Sequence, residues 1–542
     1  MPKIRIDGRE IEVPAGRTLL QAIDDLGLLM NGVEIPHYCW HPKLSIDGSC
    51  RLCQVEIEGT PKLQIACNTP VQDGMVVHTQ SERVRAAREG VMELLLINHP
   101  LDCPICDQAG ECKLQDYAYD YGLTQSRSRE PRRALKKNVD LGPTIVFDQE
   151  RCILCRRCVR FCEEVTGTGE LRVFGRGDRS VVDIWPGVPL DNPYSMNVAD
   201  MCPVGALTTK DFRFKIRVWF LEEVPGVCTG CANGCNVYLG VANNKVYRYT
   251  PRRNDAVNQT WICDAGRLSY RRIGAADRQR SALVRGELGV PEPASFERAL
   301  AEAASRLRRL VEVKGPGVIA GVASAHATNE DLYTFRRFLL ALGAGESGVA
   351  VPRGDSDALL VKEEKAANAE GARVLGFGPA RAVLERLRAG GVEALVVLGS
   401  DLLGERGLED LSPLDRLDTL VVLAAHQSDL QRVAHVVFPT RHAAEKQGTL
   451  TSHAGRVQRV VPAVEPAFEA HAEGDVLHRL GAALGLPGFE GSYDPRAVFR
   501  ALVREVPAFA GLDEGALGDQ GAPLAAPAER PKASRASPGA RA

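Results

Sequence analysis

Glu150–Gly167 reads ERCILCRRCVRFCEEVTG. Its cysteines, Cys152, Cys155, Cys158 and Cys162, follow the spacing C-x2-C-x2-C-x3-C, which curls a short loop so that thiolates can face an inorganic iron–sulfur core. In such a run the fourth cysteine is ordinarily followed by proline, but Cys162 is followed by Glu163. The Cys–Pro step occurs later, at Cys202–Pro203 in MCPVGAL. Cys202 is therefore the natural fourth ligand to Cys152, Cys155 and Cys158 for a [4Fe–4S] cluster, across residues 159–201. That leaves Cys162 either spare or lent to a neighbouring cluster.

The surrounding chain has 542 residues, too many for one core, and implies three or more domains. Its 67 basic and 69 acidic residues nearly cancel to a net charge of −2, which argues against a nucleic-acid or anionic-lipid surface as the main function. No apolar run has membrane-spanning length, and MPKIRIDGRE reads as a strand rather than a signal peptide. The expectation is a cytosolic protein whose link to any membrane runs through partners. All 16 cysteines lie between Cys39 and Cys263. Cysteines clustered in a long chain without a secretion signal point to metal rather than to disulfides.

Three more cysteine groups flank or follow the first. KIRIDGREIEVPAG reads as a hairpin turning at Asp7–Gly8, and TLLQAIDDLG as a short helix capped by Thr18 with Gln21 and stopped by Gly27. Cys39, Cys50, Cys53 and Cys67 follow as C-x10-C-x2-C-x13-C. Hairpin, helix and cysteine loop resemble a plant-type ferredoxin domain holding a [2Fe–2S] cluster, with a longer first gap than usual. A zinc knuckle suits this spacing less well, because zinc sites favour two C-x2-4-C clips. Ser81–Asn98 predicts an amphipathic helix, and HPLDCPICDQAGECKLQD places His99, Cys103, Cys106 and Cys112 as H-x3-C-x2-C-x5-C. Three cysteines are one short of a cubane's four ligands. His99 is therefore favoured as the fourth over a plain role at the helix C-terminus. A neutral imidazole in place of a thiolate predicts a raised cluster potential. Finally, Cys228, Cys231, Cys235 and Cys263 form C-x2-C-x3-C-x27-C, a three-plus-one pattern that suits a [4Fe–4S] cubane better than zinc. Gly230 and Gly234 leave room for backbone N–H groups near sulfur.

Between these groups, Ser126–Lys137 (SRSREPRRALKK) reads as a solvated basic linker. GRGDRS at 175–180 is a weak match to a dinucleotide fingerprint, so NADH is not expected to bind there. After Cys263 the pattern changes. GVIAGVAS, GVEALVVLGSD and LDTLVVLAAHQSD are apolar strands alternating with helical stretches, the grammar of a parallel α/β sheet. Gly399, Ser400 and Asp401 end one such strand; without a phosphate loop they read more readily as a structural turn than as a ligand site.

These four groups, in this order and with NHPLDCPICDQAGECKLQD carrying a histidine, resemble the large iron–sulfur G subunit of respiratory NADH–quinone oxidoreductase (complex I). The resemblance is strong over about residues 1–275. Over 276–510 it is weaker, where HVVFPTRHAAEKQGTLTSHAGRVQR is similar to the closing segment of molybdopterin oxidoreductases. It implies a multidomain α+β iron–sulfur half followed by an α/β half. Residues 1–78 would form the plant-type ferredoxin-like [2Fe–2S] domain, and 79–119 a [4Fe–4S] domain ligated by one histidine and three cysteines. Residues 120–218 would form a ferredoxin-like [4Fe–4S] domain and 219–275 a [4Fe–4S] domain of the molybdenum/tungsten-oxidoreductase type. A degenerate molybdopterin-oxidoreductase-like α/β domain would follow at 276–511, then a disordered tail at 512–542.

The resemblance also implies a role. Electrons from an NADH-oxidising flavin subunit would pass through one [2Fe–2S] and three [4Fe–4S] clusters toward quinone. The partners would be that flavin subunit upstream and cluster-bearing, quinone-proximal subunits downstream. The setting would be the peripheral arm of a proton-translocating membrane complex, on the cytoplasmic side. The Cys228 cluster resembles an extra one that only some members keep. The alternative is the iron–sulfur/molybdopterin subunit of an NAD-linked formate dehydrogenase. That reading requires a cysteine or selenocysteine on molybdenum and a lysine two residues after the last cluster cysteine. Here Cys263 is followed by Asp264 and Ala265, and no cysteine lies beyond, so no molybdenum is expected. An NAD-linked [FeFe]-hydrogenase fails for the same lack of cysteines. On this basis His99 is counted as the sixteenth ligand. Cys162 is then a small buried hydrophobe on the helix after its loop, rather than a replacement for His99.

Overall fold

The computed structural model describes residues 1–29, 32–402 and 410–525. These group into two units. The first comprises Met1–Glu222 with Gln259–Ala265, and the second comprises Glu223–Asn258 with the chain from Gly266 onward.

The first unit opens with β1 (Lys3–Ile6) and β2 (Arg9–Glu12), paired antiparallel with Ile6 opposite Arg9. The two turn residues, Asp7 (φ 46°) and Gly8 (φ 82°), both adopt the left-handed backbone that a two-residue hairpin turn demands. Helix α1 (Leu19–Asp25) starts on a capping box: Gln21 N–H donates to Thr18 Oγ1, and Thr18 N–H donates to Gln21 Oε1. Gly27, at φ 67°, follows its end. The helix buries Leu19, Leu20, Ala22 and Ile23 in the core beneath the sheet. That sheet is completed by β3 (Gln54–Ile57), β4 (Gln64–Ile65) and β5 (Val76–His78) in the order β2-β1-β5-β3-β4. Helix α2 (Glu82–Leu96) follows, with Val84 N–H donating to the Ser81 hydroxyl. Residues 126–137 form no helix or strand. Arg127 pairs there with Glu93, and Lys137 with Asp102 and Glu150.

A small sheet of Leu207–Thr209, Ile145–Phe147 and Val139–Asp140 carries the next cysteine loop, which leads into the helix Arg157–Arg160. The helix continues as one π-turn, Phe161–Val165. Gly175–Ser180 closes a hairpin between Leu171–Phe174 and Val181–Ile184 with one 3-10 turn (Gly177–Arg179) and opens no α-helix, so it lacks the strand–turn–helix setting of a phosphate-binding turn.

The second unit carries a three-stranded sheet of Glu222–Val227, Asn236–Ala242 and Lys245–Pro251. Its main element is an eight-stranded sheet. In chain order the strands are β6 (Ala282–Arg285), β7 (Pro291–Ala294), β8 (Ile319–Ser324), β9 (Glu346–Ala350), β10 (Gly378–Pro379), β11 (Ala394–Leu398), β12 (Thr419–Ala424) and β13 (Val436–Pro439). The spatial order is β7-β6-β13-β12-β11-β8-β9-β10, parallel from β13 to β10. Both faces are covered. Ala394, Val396 and Leu398 point into one apolar core, and Leu395 and Val397 into the other. Strands buried on both sides must be apolar throughout, which explains the continuous runs in the sequence.

One expectation is corrected. The tail does not begin at residue 512. Leu512 and Leu517 are buried, and Ala522–Pro523 pairs antiparallel with Arg456–Val457. Two well-placed leucines anchor a segment whose average composition is that of a coil. The part of the expected tail from 526 to 542 lies outside the described residues. Within 219–275, the contacts of the chain divide between the two units. Gln259–Ala265 belongs to the first unit, where Trp261 stacks on His41 (5.1 Å) and packs on Phe161 (5.0 Å). A large aromatic is best buried among other rings, and they lie in the first unit.

Candidate metal centres

The loop between α1 and β3 delivers Cys39, Cys50 and Cys53, and the segment after β4 delivers Cys67. The thiols of Cys39 and Cys50 hydrogen-bond to each other, as do those of Cys53 and Cys67, and Cys39 lies within electrostatic reach of Cys53. Cys39, Cys53 and Cys67 are buried. Within the Cys39/Cys50 pair the Cys50 S–H stabilises the Cys39 thiolate, which pulls Cys39 down to about 5 and pushes Cys50 up. Arg51, at φ 58°, bends the backbone inside the C-x2-C clip.

Cys103, Cys106 and Cys112 lie within mutual electrostatic reach. Cys106 and Cys112 are buried and Cys103 is exposed. His99 sits just past the end of α2. Burial, then the nearby Arg151 cation, holds its pKa down to about 4, so the imidazole is neutral and free to ligate. Arg151 also lies within electrostatic reach of Cys106, so His99 and Cys106 feel the same cation.

Cys152, Cys155, Cys158 and Cys202 line a single cavity with Phe147, Val182 and Leu207. Leu154 (φ 52°) and Arg156 (φ 59°), both non-glycine residues in the left-handed region, curl the loop. Strain of this kind persists where the surroundings enforce it. Leu154 N–H points at Cys152 Sγ (3.4 Å), and the backbone around Val204, Ala206 and Leu207 donates toward Cys202. Burial pushes the Cys158 thiol well up. Such thiols stay protonated in an apo cavity, and ligation by metal would displace those protons. Cys162 is absent from the cavity lining. It is fully buried on the π-turn, and its thiol faces Leu171 N–H and Glu170 instead.

In the second unit Cys228, Cys231 and Cys235 are buried on one turn. Cys228 N–H donates to Cys235 O (2.8 Å), and Asn233 Nδ2 donates to Cys235 Sγ (3.1 Å). Gly230 lies beside the Cys228 sulfur, where an added Cβ would make an ordinary contact at 3.6 Å. Cys263, the fourth member by sequence, is half-buried in the segment assigned to the first unit. The next residue, Asp264, accepts from Ser195 Oγ (2.6 Å) and Met196 N–H (3.0 Å), a structural tether. Among the described residues no three His, Cys, Asp or Glu side chains converge tightly enough for a single ion.

Two features of the first unit fit cluster binding. Gly205 packs directly on Cys106: a Cβ there would sit 2.1 Å from its sulfur. The buried Nε–H groups of Arg157 and Arg160 find no acceptor among the described residues. Sequence reasoning missed Gly205, Arg151, Arg157 and Arg160. The available signal was a set of arginines inside a cysteine run, at ERC and CRRCVR.

The three first-unit groups are joined by hydrogen bonds between their loops. Arg160 donates to the carbonyls of Ser45 and Cys39 and to Cys155 O (3.4 Å), linking the Cys39 group to the Cys152 group. On the other side, Arg151 pairs with Asp102 (2.9 Å) and donates to Gly205 O (3.5 Å), and Cys112 Sγ lies 3.9 Å from Pro203 O. The Cys152 group thus adjoins both of the others, and Tyr38, beside Cys39, also reaches Lys113 O, beside Cys112 (3.5 Å).

In the second unit the strand-end residues singled out in the sequence form a tight turn. Gly399 (φ 73°) abuts Ser324, whose hydroxyl donates to the Asp401 carboxylate. This lies where the chain's strand order reverses, between β8 and β11.

Comparison with known proteins agrees with this layout. Residues 2–82 match the family of 2Fe-2S iron-sulfur cluster binding domains. Residues 88–127 match the NADH-ubiquinone oxidoreductase-G iron-sulfur binding region, and residues 142–208 the ferredoxin-like domain of NADH-quinone oxidoreductase subunit 3. Residues 221–274 match the molybdopterin oxidoreductase Fe4S4 domain, and 354–483 the molybdopterin oxidoreductase family. The G subunit of the NADH-quinone oxidoreductase of Rickettsia conorii is 39% identical over 349 residues, 64% of this chain and 50% of that protein. The chain is homologous to the NADH-quinone oxidoreductase G subunit. The Streptomyces coelicolor G subunit is 41% identical over 337 residues, 62% of this chain and 39% of its own length. The alpha subunit of the NADPH-Fe(3+) oxidoreductase of Geobacter sulfurreducens is 38% identical over 346 residues, 64% of this chain and 40% of that one. A solved NAD+-reducing [NiFe]-hydrogenase chain aligns at 32% identity over 40% of this chain and 91% of its own, with a TM-score of 0.36. The matched region spans half or less of the length of these G-subunit relatives. Among the described residues no helix is long and apolar enough to cross a membrane.

Proposed function

We propose that this chain is an electron-transfer iron–sulfur subunit of NADH–quinone oxidoreductase, serving the passage of electrons from an NADH-oxidising flavin subunit toward quinone. The ligand sets are Cys39, Cys50, Cys53 and Cys67 for a [2Fe–2S] cluster, and His99, Cys103, Cys106 and Cys112 for a [4Fe–4S] cluster. Cys152, Cys155, Cys158 and Cys202 hold a second [4Fe–4S] cluster, and Cys228, Cys231, Cys235 and Cys263 a third. When bound, these clusters supply one-electron redox carriers. The chain's own residues do the rest. Thiolates and one neutral imidazole bind, backbone N–H groups donate to sulfur, and burial excludes water.

The observation that carries this reading is the convergence of Cys152, Cys155, Cys158 and the distant Cys202 on one cavity, with the Cys39 and Cys103 groups both adjoining it. Leu101, Ile105, Phe214, Trp219 and Phe220 are exposed near Cys103. Such a cluster of exposed apolar residues marks a protein interface, and it suits docking of a cluster-bearing subunit on the quinone side in the peripheral arm of the complex.

Metal analysis and low-temperature EPR of the purified chain test the proposal. About 14 iron atoms per chain, four cluster signatures and no molybdenum are expected, from one two-iron and three four-iron centres. Bound molybdenum with formate oxidation would overturn it, as would zinc with no visible charge-transfer absorption.

A further inference from the structure

Two arginines of the Cys152 loop reach from one cysteine group to another. Arg157 donates to Met201 O (3.0 Å) and to Trp40 O, the carbonyls beside Cys202 and Cys39. Its charge faces Cys155, Cys202, Cys39 and Cys50, members of two different cysteine groups. Arg160, 4% exposed, donates to the carbonyls of Cys39 and Cys155, one from each group. Both Nε–H groups are enclosed and without an acceptor among the described residues. An enclosed donor without an acceptor is unfavourable, and an arginine surrounded by thiols finds its natural acceptor in a cysteinyl or inorganic sulfur.

We infer that Arg157 and Arg160 form a cationic bridge between the [2Fe–2S] and Cys152 [4Fe–4S] centres, positioning them and raising the potentials of both. The inference rests on the ligand sets proposed above. Each reduction adds one negative charge to a centre, and two neighbouring anionic centres repel. A fixed cation between them favours the reduced form of each and so offsets that repulsion. The guanidinium fork suits this better than an ammonium, because it holds a carbonyl on each side while keeping Nε–H free for sulfur.

The test is an EPR-monitored redox titration of the full chain with its clusters, on wild type and on R157Q, R160Q, R157K and R160K. The glutamine variants are expected to lower the reduced-to-oxidised ratio of both centres about tenfold at fixed potential, a shift of about 59 mV for a one-electron couple. The lysine variants, which restore charge but not the fork, are expected to recover most of that shift. The [4Fe–4S] centre bound through His99 is expected to titrate as in wild type in all four. Glutamine variants that hold both centres at wild-type potentials would overturn the inference. Should the glutamine variants fail to hold clusters, the lysine variants decide. Clusters held at near-native potentials show that the charge is required; clusters lost again show only scaffolding and overturn the inference. Absence of both centres from wild type would instead overturn the ligand assignment itself.

Discussion

At the scale of single residues, the decisive contrasts are between neighbours that look alike in sequence. Cys158 and Cys162 lie one helical turn apart, yet only the first lines the cavity with Cys155 and Cys202. Cys162→Ala is expected to retain all four EPR signatures, whereas His99→Ala is expected to alter one. Loss of a cluster in Cys162→Ala would reverse the assignment. Gly205 makes a sharper case. Its backbone requires no glycine conformation, but the Cys106 sulfur occupies the space a methyl would take. Gly205→Ala is expected to displace Cys106 and abolish or shift the signal of the His99 centre while leaving the [2Fe–2S] signal intact; an unchanged spectrum would refute the packing role. The Cys–Pro step had already marked Cys202 in the sequence. Nothing in the sequence marked Gly205, because the atom it accommodates comes from a loop about a hundred residues away.

At the scale of elements, local rules were legible. The Asp7–Gly8 turn, the Thr18/Gln21 capping box and the Ser81 cap all form where residue chemistry places them. Thr18→Ala removes the box from a helix whose Leu19, Leu20, Ala22 and Ile23 support the [2Fe–2S] loop. It is expected to cost about 1 kcal/mol, seen as a lower midpoint for thermal loss of visible absorption with the room-temperature spectrum unchanged. Element boundaries were less legible where a few side chains decide them. Trp261 draws Gln259–Ala265 into the first unit, and Leu512 and Leu517 order a segment that composition alone reads as tail. Period and composition average over windows, while an anchor is one residue.

At the scale of the whole molecule, the cysteine-rich first half and the cysteine-free second half meet different physical demands. The second depends on a doubly covered parallel sheet, and a buried histidine sits in it. His435, just before β13, donates its backbone N–H to Leu420 O of β12 (2.9 Å), and its Nδ1 accepts the Leu420 N–H (3.0 Å). Burial, aided by Arg285 and Arg306, holds its pKa down to about 4 from an ordinary 6.5. Above pH 6.5 the group is neutral in both the folded and the unfolded chain. Between 6.5 and 4 only the unfolded chain takes up the proton, so stability falls with pH through this window, by on the order of 3 kcal/mol. His435→Asn, which keeps an acceptor for Leu420 N–H, is expected to flatten the thermal midpoint's decline between pH 6.5 and 4 relative to wild type. An equal decline in both would show that His435 does not contribute.

The chemistry of this protein is written in its residues: sixteen cysteines in four spaced groups, a histidine where a thiol is missing, and a second half of alternating strands and helices. Those features are local, because ligand spacing, turn geometry and hydrophobic period all act within a few residues. The folded chain alone brings Cys202 to the Cys152 loop in one cavity, keeps Cys162 outside it, and uses Gly205, Arg151, Arg157 and Arg160 to tie the three first-unit groups together. These depend on which distant backbone carbonyl or sulfur comes within bonding distance. Packing sets that proximity, and no window of sequence records it.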